Sequence, residues 1–125
     1  MNAANHTLAA KAKTSSYHAI QFIMERALDH MQQAADAFDN GNGEQWCKHI
    51  VTAHGQILGL RASLDMNQGS IADNLDSLYE YMQGRLNTAF EEVDVEALAE
   101  VYDLLEQVKQ GWDGIEEALP SSMAV

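Results

Sequence analysis

Five histidines, one cysteine and nineteen carboxylates are the residues of this chain that could carry chemistry. A di-metal carboxylate site in a helical protein needs Glu-x-x-His pairs projecting inward, and no glutamate here has a histidine three residues later. On one helix, His49 and His54 lie roughly 140° apart, so they cannot serve one ion from one face. His18 and His30 are separated by roughly 18 Å of helix. The spacing therefore argues for scattered surface or boundary histidines and no metal, since metals demand convergent ligands. Cys47 falls on an apolar stripe, and His49 sits on a different face, which reads as an inert packed thiol rather than a nucleophile. Neither a glycine-rich phosphate loop nor a nucleophile elbow is present. The Gly-Asn-Gly run at 41–43 reads as a turn. No sequence cue places two carboxylates in one apolar pocket, so acid–base catalysis is left without support.

The composition narrows the partners. Nineteen acidic against seven basic residues give a formal charge of −12, a surface that repels phosphate backbones and anionic lipid. No apolar run approaches the ~20 residues needed to span a bilayer. The opening stretch, Met1 to Lys13, lacks the apolar core of a secretory signal. A single cysteine cannot close an internal disulfide, which suits a reducing compartment. A cytosolic location is expected. The 125 residues fit one domain.

Helical periodicity dominates the chain. Tyr17, Ile20, Met24, Ala27, Met31, Ala34 and Phe38 recur at steps of three and four, and so share one helix face. Asp39 to Gly43 ends that helix with residues that tolerate a left-handed backbone. The second helix carries two stripes side by side, Trp46–Ile50–Ala53–Ile57–Leu60–Leu64 and Cys47–Val51–His54–Leu58–Ala62. A face this wide suits a helix with two neighbours, or one that lines a groove. Asp65 to Gly69 makes a break. Ser70 is the predicted cap of a third helix with Ile71, Leu75, Leu78, Met82, Leu86, Ala89 and Phe90 on its stripe. Asp94 is the predicted cap of a fourth helix, with a stripe from Val95 through Leu98, Tyr102, Leu105, Val108, Trp112 and Ile115 to Leu119. No run alternates as a strand does. The predicted fold is all-α, an up-and-down antiparallel four-helix bundle spanning residues 14–119. Residues 1–13 read as a flexible or weakly helical arm, with room for a short extra helix, and residues 120–125 as a disordered tail.

The third helix holds more aromatic and methionine surface than one core stripe explains. Tyr79 and Tyr81 lie roughly 200° apart, so they cannot face the same neighbour, and at least one is expected at solvent or at a partner.

The stretch from Gly59 to Leu86 resembles the flagellar export chaperone family of the FliS type. The likeness rests on Leu64-Asp65 ending one helix, a glycine turn, then Ile71, Ala72, Asn74 and Leu75, and Leu78, Tyr79, Tyr81 and Met82. Leu104, Leu105 and Trp112 resemble the family's last helix, and Ile20, Gln21, Ile23, Ala27 and Leu28 its first. Two departures stand out: Tyr17 occupies the place of a proline common in the family, and the arm has no tyrosine. The resemblance implies a helical bundle without enzymatic activity or cofactor. It implies binding to the disordered C-terminal segment of flagellin in the cytosol, and, as a second partner, contact with the platform protein of the export gate.

Independently of that likeness, a disordered amphipathic segment can dock in apolar grooves on a bundle, and methionine suits a surface that must accept a flexible ligand. The residues predicted to line such a groove are Ile50, His54, Ile57, Leu58, Leu75, Leu78, Tyr79 and Met82. The alternative reading is a helical adaptor or structural bundle with another helical partner, or one that self-associates. Periodicity leaves open whether the chain is a monomer or a weak dimer.

Overall fold

The structure, a computed structural model, describes residues 2–118, with side chains described from 16 to 115. Four helices follow in order: α1 (Asn2–Asp39), α2 (Gly43–Ala62), α3 (Ser70–Glu92) and α4 (Val95–Ala118), with a 3-10 turn at Met66–Gln68 before α3. No strand occurs among the described residues.

Capping side chains and left-handed residues mark most of the boundaries. Gly41 takes φ +69 at the end of α1, a conformation that costs a glycine little. Asn42 then caps α2, its side-chain oxygen accepting from the Gln45 N–H at 3.1 Å. The Asp65 carboxylate accepts from the Asn67 N–H at 3.0 Å and starts the 3-10 turn. Asp94 behaves as its position predicts, one oxygen accepting from the N–H groups of Glu96 and Ala97. Ser70 does not cap α3. It is the first helical residue, and Gly69, at φ +70, occupies the cap with no side-chain bond. Val93 closes α3 at φ +51, a left-handed conformation that β-branched residues resist.

Short connections leave consecutive helices antiparallel. Late α1 meets early α2 at His30 and His49, late α2 meets early α3 at Arg61 and Asp76, and late α3 meets early α4 at Arg85 and Glu100. The ring closes where Tyr17 meets Trp112 near the end of α4. The Tyr17 hydroxyl donates to the Trp112 carbonyl at 2.6 Å, the Trp112 indole N–H donates to the Tyr17 carbonyl at 3.1 Å, and the rings stack. This is the expected up-and-down bundle.

The inward stripes form one core. Met24 and Met31 from α1, Trp46, Ile50 and Ile57 from α2, Met82 and Leu86 from α3, and Leu98, Val101 and Leu105 from α4 are all buried in it. The stripes deviate from expectation at their ends. Phe38, Ile71, Phe90 and Ile115 are exposed, while Ala37, Ala97 and Val101 are buried instead. A straight helix gains angle relative to any fixed three-and-four pattern, so the extreme members of a long stripe rotate off the core.

The backbone of α1 is helical from Asn2, so most of the stretch expected as an arm continues this helix. A separate short helix is not formed, because no glycine or proline interrupts residues 2–39 and the alanines there favour continuation. The side chains of that stretch, and the tail at 120–125, lie outside the described residues.

Candidate functional site

The eight residues predicted to line a groove do not share one surface. Ile50, Ile57, Tyr79 and Met82 are core side chains; Tyr79, for example, is 2% exposed. Ile50, Ile57 and Met82 lie on the stripes read from the sequence, while Tyr79 lies on the buried line of α3 that runs through Ala72, Tyr79, Met82 and Leu86. Leu58, 52% exposed, stands on the outer flank of α2, while His54, Leu75 and Leu78 are half-buried. Two of the places where apolar surface is left open involve the predicted residues, and five of the eight, Ile50, His54, Leu58, Leu75 and Tyr79, border one or the other.

The first place is the outer seam between α2 and α3. The second stripe of α2 runs along it, with Val51 58% exposed beside Leu58 and His54, and Phe90 answers from α3 at 41%. A depression of about 280 Å³ between the helices is lined by Ile50, Val51, His54, Leu86, Asn87, Phe90 and Glu91. Its floor is the core, through Ile50 and Leu86. Arg61 straps the far end of the seam. Its guanidinium donates to both Asp76 oxygens, at 2.7 and 3.4 Å, to Gln83 and to Glu80. The hydrogen bond from Arg61 holds the Asp76 carboxyl below the usual range. One end of the seam is thus fixed by a forked contact, and the rest is open, its apolar side chains interleaved with His54, Asn87 and Glu91.

The second place is the end of the bundle where Tyr17 and Trp112 join. A pocket of about 260 Å³ there is lined by Ile20, Leu60, Leu64, Ile71, Leu75, Tyr79 and Trp112, among others. Ile71, 70% exposed, stands at its mouth. Burial pushes the Tyr79 phenol up to about 12, so this ring stays neutral and serves as a wall. Tyr81, on the opposite side of α3, is the tyrosine that reaches solvent, as the angular separation of the pair requires. Its hydroxyl donates to Glu100 at 2.9 Å, and Arg85 donates to the same carboxylate at 2.7 Å.

Val51 and Phe90 complete the seam and were missing from the predicted set. Val51 could have been found as the member of the second stripe beside His54 and Leu58. Phe90 carried no signal, because it sits among the residues of a core stripe and only the drift of α3 turns it outward.

The chemistry-bearing side chains serve as ties between helices. Gln21 and Lys109 both donate to Asp113, and together they hold its carboxyl low. Cys47 is half-buried against the core. His30 and His49 meet across α1 and α2, a pairing that no single-helix spacing reveals. Among the described residues no three His, Cys, Asp or Glu side chains converge as a metal site would require, and no helix is long and apolar enough to cross a membrane.

Residues 1–119 match the family model described as flagellar protein FliS. The chain is 43% identical over 97 residues to the flagellar secretion chaperone FliSB of Pseudomonas aeruginosa, an alignment covering 77% of each chain. It is 30% identical over 102 residues to the flagellar secretion chaperone FliS of Vibrio cholerae, covering 81% of this chain and 75% of that one. A shorter match, 43% over 58 residues, joins it to the Salmonella typhimurium chaperone of the same name, covering 46% of this chain and 43% of that one. The chain belongs to the flagellar protein FliS family.

Proposed function

We propose that this member of the FliS family is a cytosolic export chaperone. It binds the disordered C-terminal segment of flagellin, keeps that segment from polymerising before export, and helps deliver it to the flagellar type III export gate, whose platform protein is a second partner. It acts by binding, without cofactor or catalysis.

The observation that carries this reading is the seam between α2 and α3. Val51, Leu58 and Phe90 keep apolar surface in water beside a depression floored by the core. An amphipathic helix could lay its apolar face there, with anchors three and four residues apart. A client disordered in its free state must lose chain entropy as it folds on the seam, which moderates affinity and suits a complex that has to release its cargo. The end pocket, with Leu75 and Tyr79 in its wall, extends the surface for a client long enough to pass round the end of the bundle.

Leu58→Glu tests the placement with little risk to the fold, because the side chain already stands in water. A flagellin C-terminal peptide is expected to bind this variant at least about ten-fold more weakly, a loss of ~1.4 kcal/mol. Ile115→Glu, also on an exposed residue but away from the seam, is expected to bind as the native chain does. Equal binding by all three would remove the seam from the account.

A further inference from the structure

His30 on α1 and His49 on α2 approach with their Nδ1 atoms 3.0 Å apart. Their ring centroids are 5.2 Å apart and the planes are tilted by 32°. That centroid distance is almost the largest that a 3.0 Å N···N separation permits, so the two nitrogens point head-on at each other. A metal ion held between them at ~2.0–2.1 Å from each nitrogen would need them ~4 Å apart in this alignment. The geometry is that of an N–H···N hydrogen bond, in which one ring carries its proton on Nδ1 and the other on Nε2.

We propose that His30 and His49 form a proton-sensitive latch between α1 and α2, closed while the pair shares one Nδ1 proton and opened when both Nδ1 atoms are protonated. With both rings neutral, one Nδ1–H donates to the other's lone pair. With one ring protonated, the same bond persists and gains charge assistance. A second proton removes the only acceptor and sets two cationic N–H groups against each other, so one ring must turn away. Both rings are half-buried, which gives a displaced ring a path to water.

The surroundings favour this response. Burial lowers the proton affinity of His30 first, then the facing His49, then Arg26 on its own helix, while Asp29 opposes them. No charged group of α3 or α4 among the described residues acts on it. Because the folded value lies below the ordinary 6.5, the latch contributes its full stability above that pH and loses it as pH falls through the lowered value. The latch lies on the opposite flank of α2 from the seam and is independent of what the seam binds.

Nitrogen-15 magnetic resonance of the histidine rings in the full chain tests this directly. At pH 8 the expected result is opposite tautomers for His30 and His49, with a through-hydrogen-bond coupling between their Nδ1 nuclei that disappears by pH 5. In His49→Ala the His30 midpoint is expected to rise by about 0.5 pH or more, since both burial and the facing ring are relieved. Identical tautomers at pH 8, or a His30 titration unchanged by His49→Ala, would overturn the latch. The tautomer measurement needs no substitution, so it stands even if the variant folds poorly.

Discussion

Tyr17→Phe removes one of the hydrogen bonds that close the ring of helices. The Tyr17 hydroxyl donates to the Trp112 carbonyl at 2.6 Å, while the two rings stack with centroids 5.1 Å apart and planes at 9°. Phenylalanine keeps the stack and loses the donor. The Trp112 carbonyl has a second lone pair for the helix's own ladder, so it is not left bare. The expected cost is therefore that of one hydrogen bond, ~1 kcal/mol. For a chain of this length that corresponds to a fall in Tm of ~3–5 °C. Tyr17→Ala also removes a buried ring and should cost ~3–5 kcal/mol. Urea unfolding followed by circular dichroism reads both, with an unchanged m-value for Tyr17→Phe as the sign that only stability has moved. A neutral Tyr17→Phe together with a Tyr17→Ala cost below ~1 kcal/mol would mean that α1 is not docked on the end of α4.

Other consequences are as direct. Val93→Gly relieves a β-branched residue held at φ +51 with its side chain exposed, and thermal unfolding should show a gain of ~0.5–1 kcal/mol. Ile57→Ala, deep in the core, should cost ~2–5 kcal/mol in urea, which separates it from the binding loss expected of Leu58→Glu one residue away. On acidification, Asp76, Glu100 and Asp113, all held low by Arg61, Arg85, or Gln21 and Lys109, contribute stability above the ordinary carboxylate values. That stability is lost as pH falls through their lowered values. Unfolding midpoints should drop in that range, and Arg61→Ala should flatten the drop.

The fold was legible because helical spacing repeats four times between short breaks, and because Asp94 and the Asp39–Gly43 turn carry unambiguous end signals. The site was only partly so. Periodicity reports which residues lie on one face but not how that face is rotated against its neighbours. Ile57 and Leu58 are adjacent in sequence, and the bundle buries one and exposes the other. The same ambiguity put Met82, a core side chain, in the predicted groove, and hid that Tyr79 is a core ring that also walls the end pocket. Phe90 and Ile71 are exposed for the opposite reason, since they end a long stripe that has turned off the core. The Tyr17–Trp112 and His30–His49 pairs join residues on separate helices, so only packing creates them.

A calorimetric titration of the full chain with a peptide of the host flagellin's C-terminal segment tests the central claim most directly. Saturable one-to-one binding with a negative heat-capacity change is expected, the mark of apolar burial coupled to folding of the peptide. The absence of binding by a folded chain, by heat and by an independent optical method, would contradict it and leave the open seam without its proposed client.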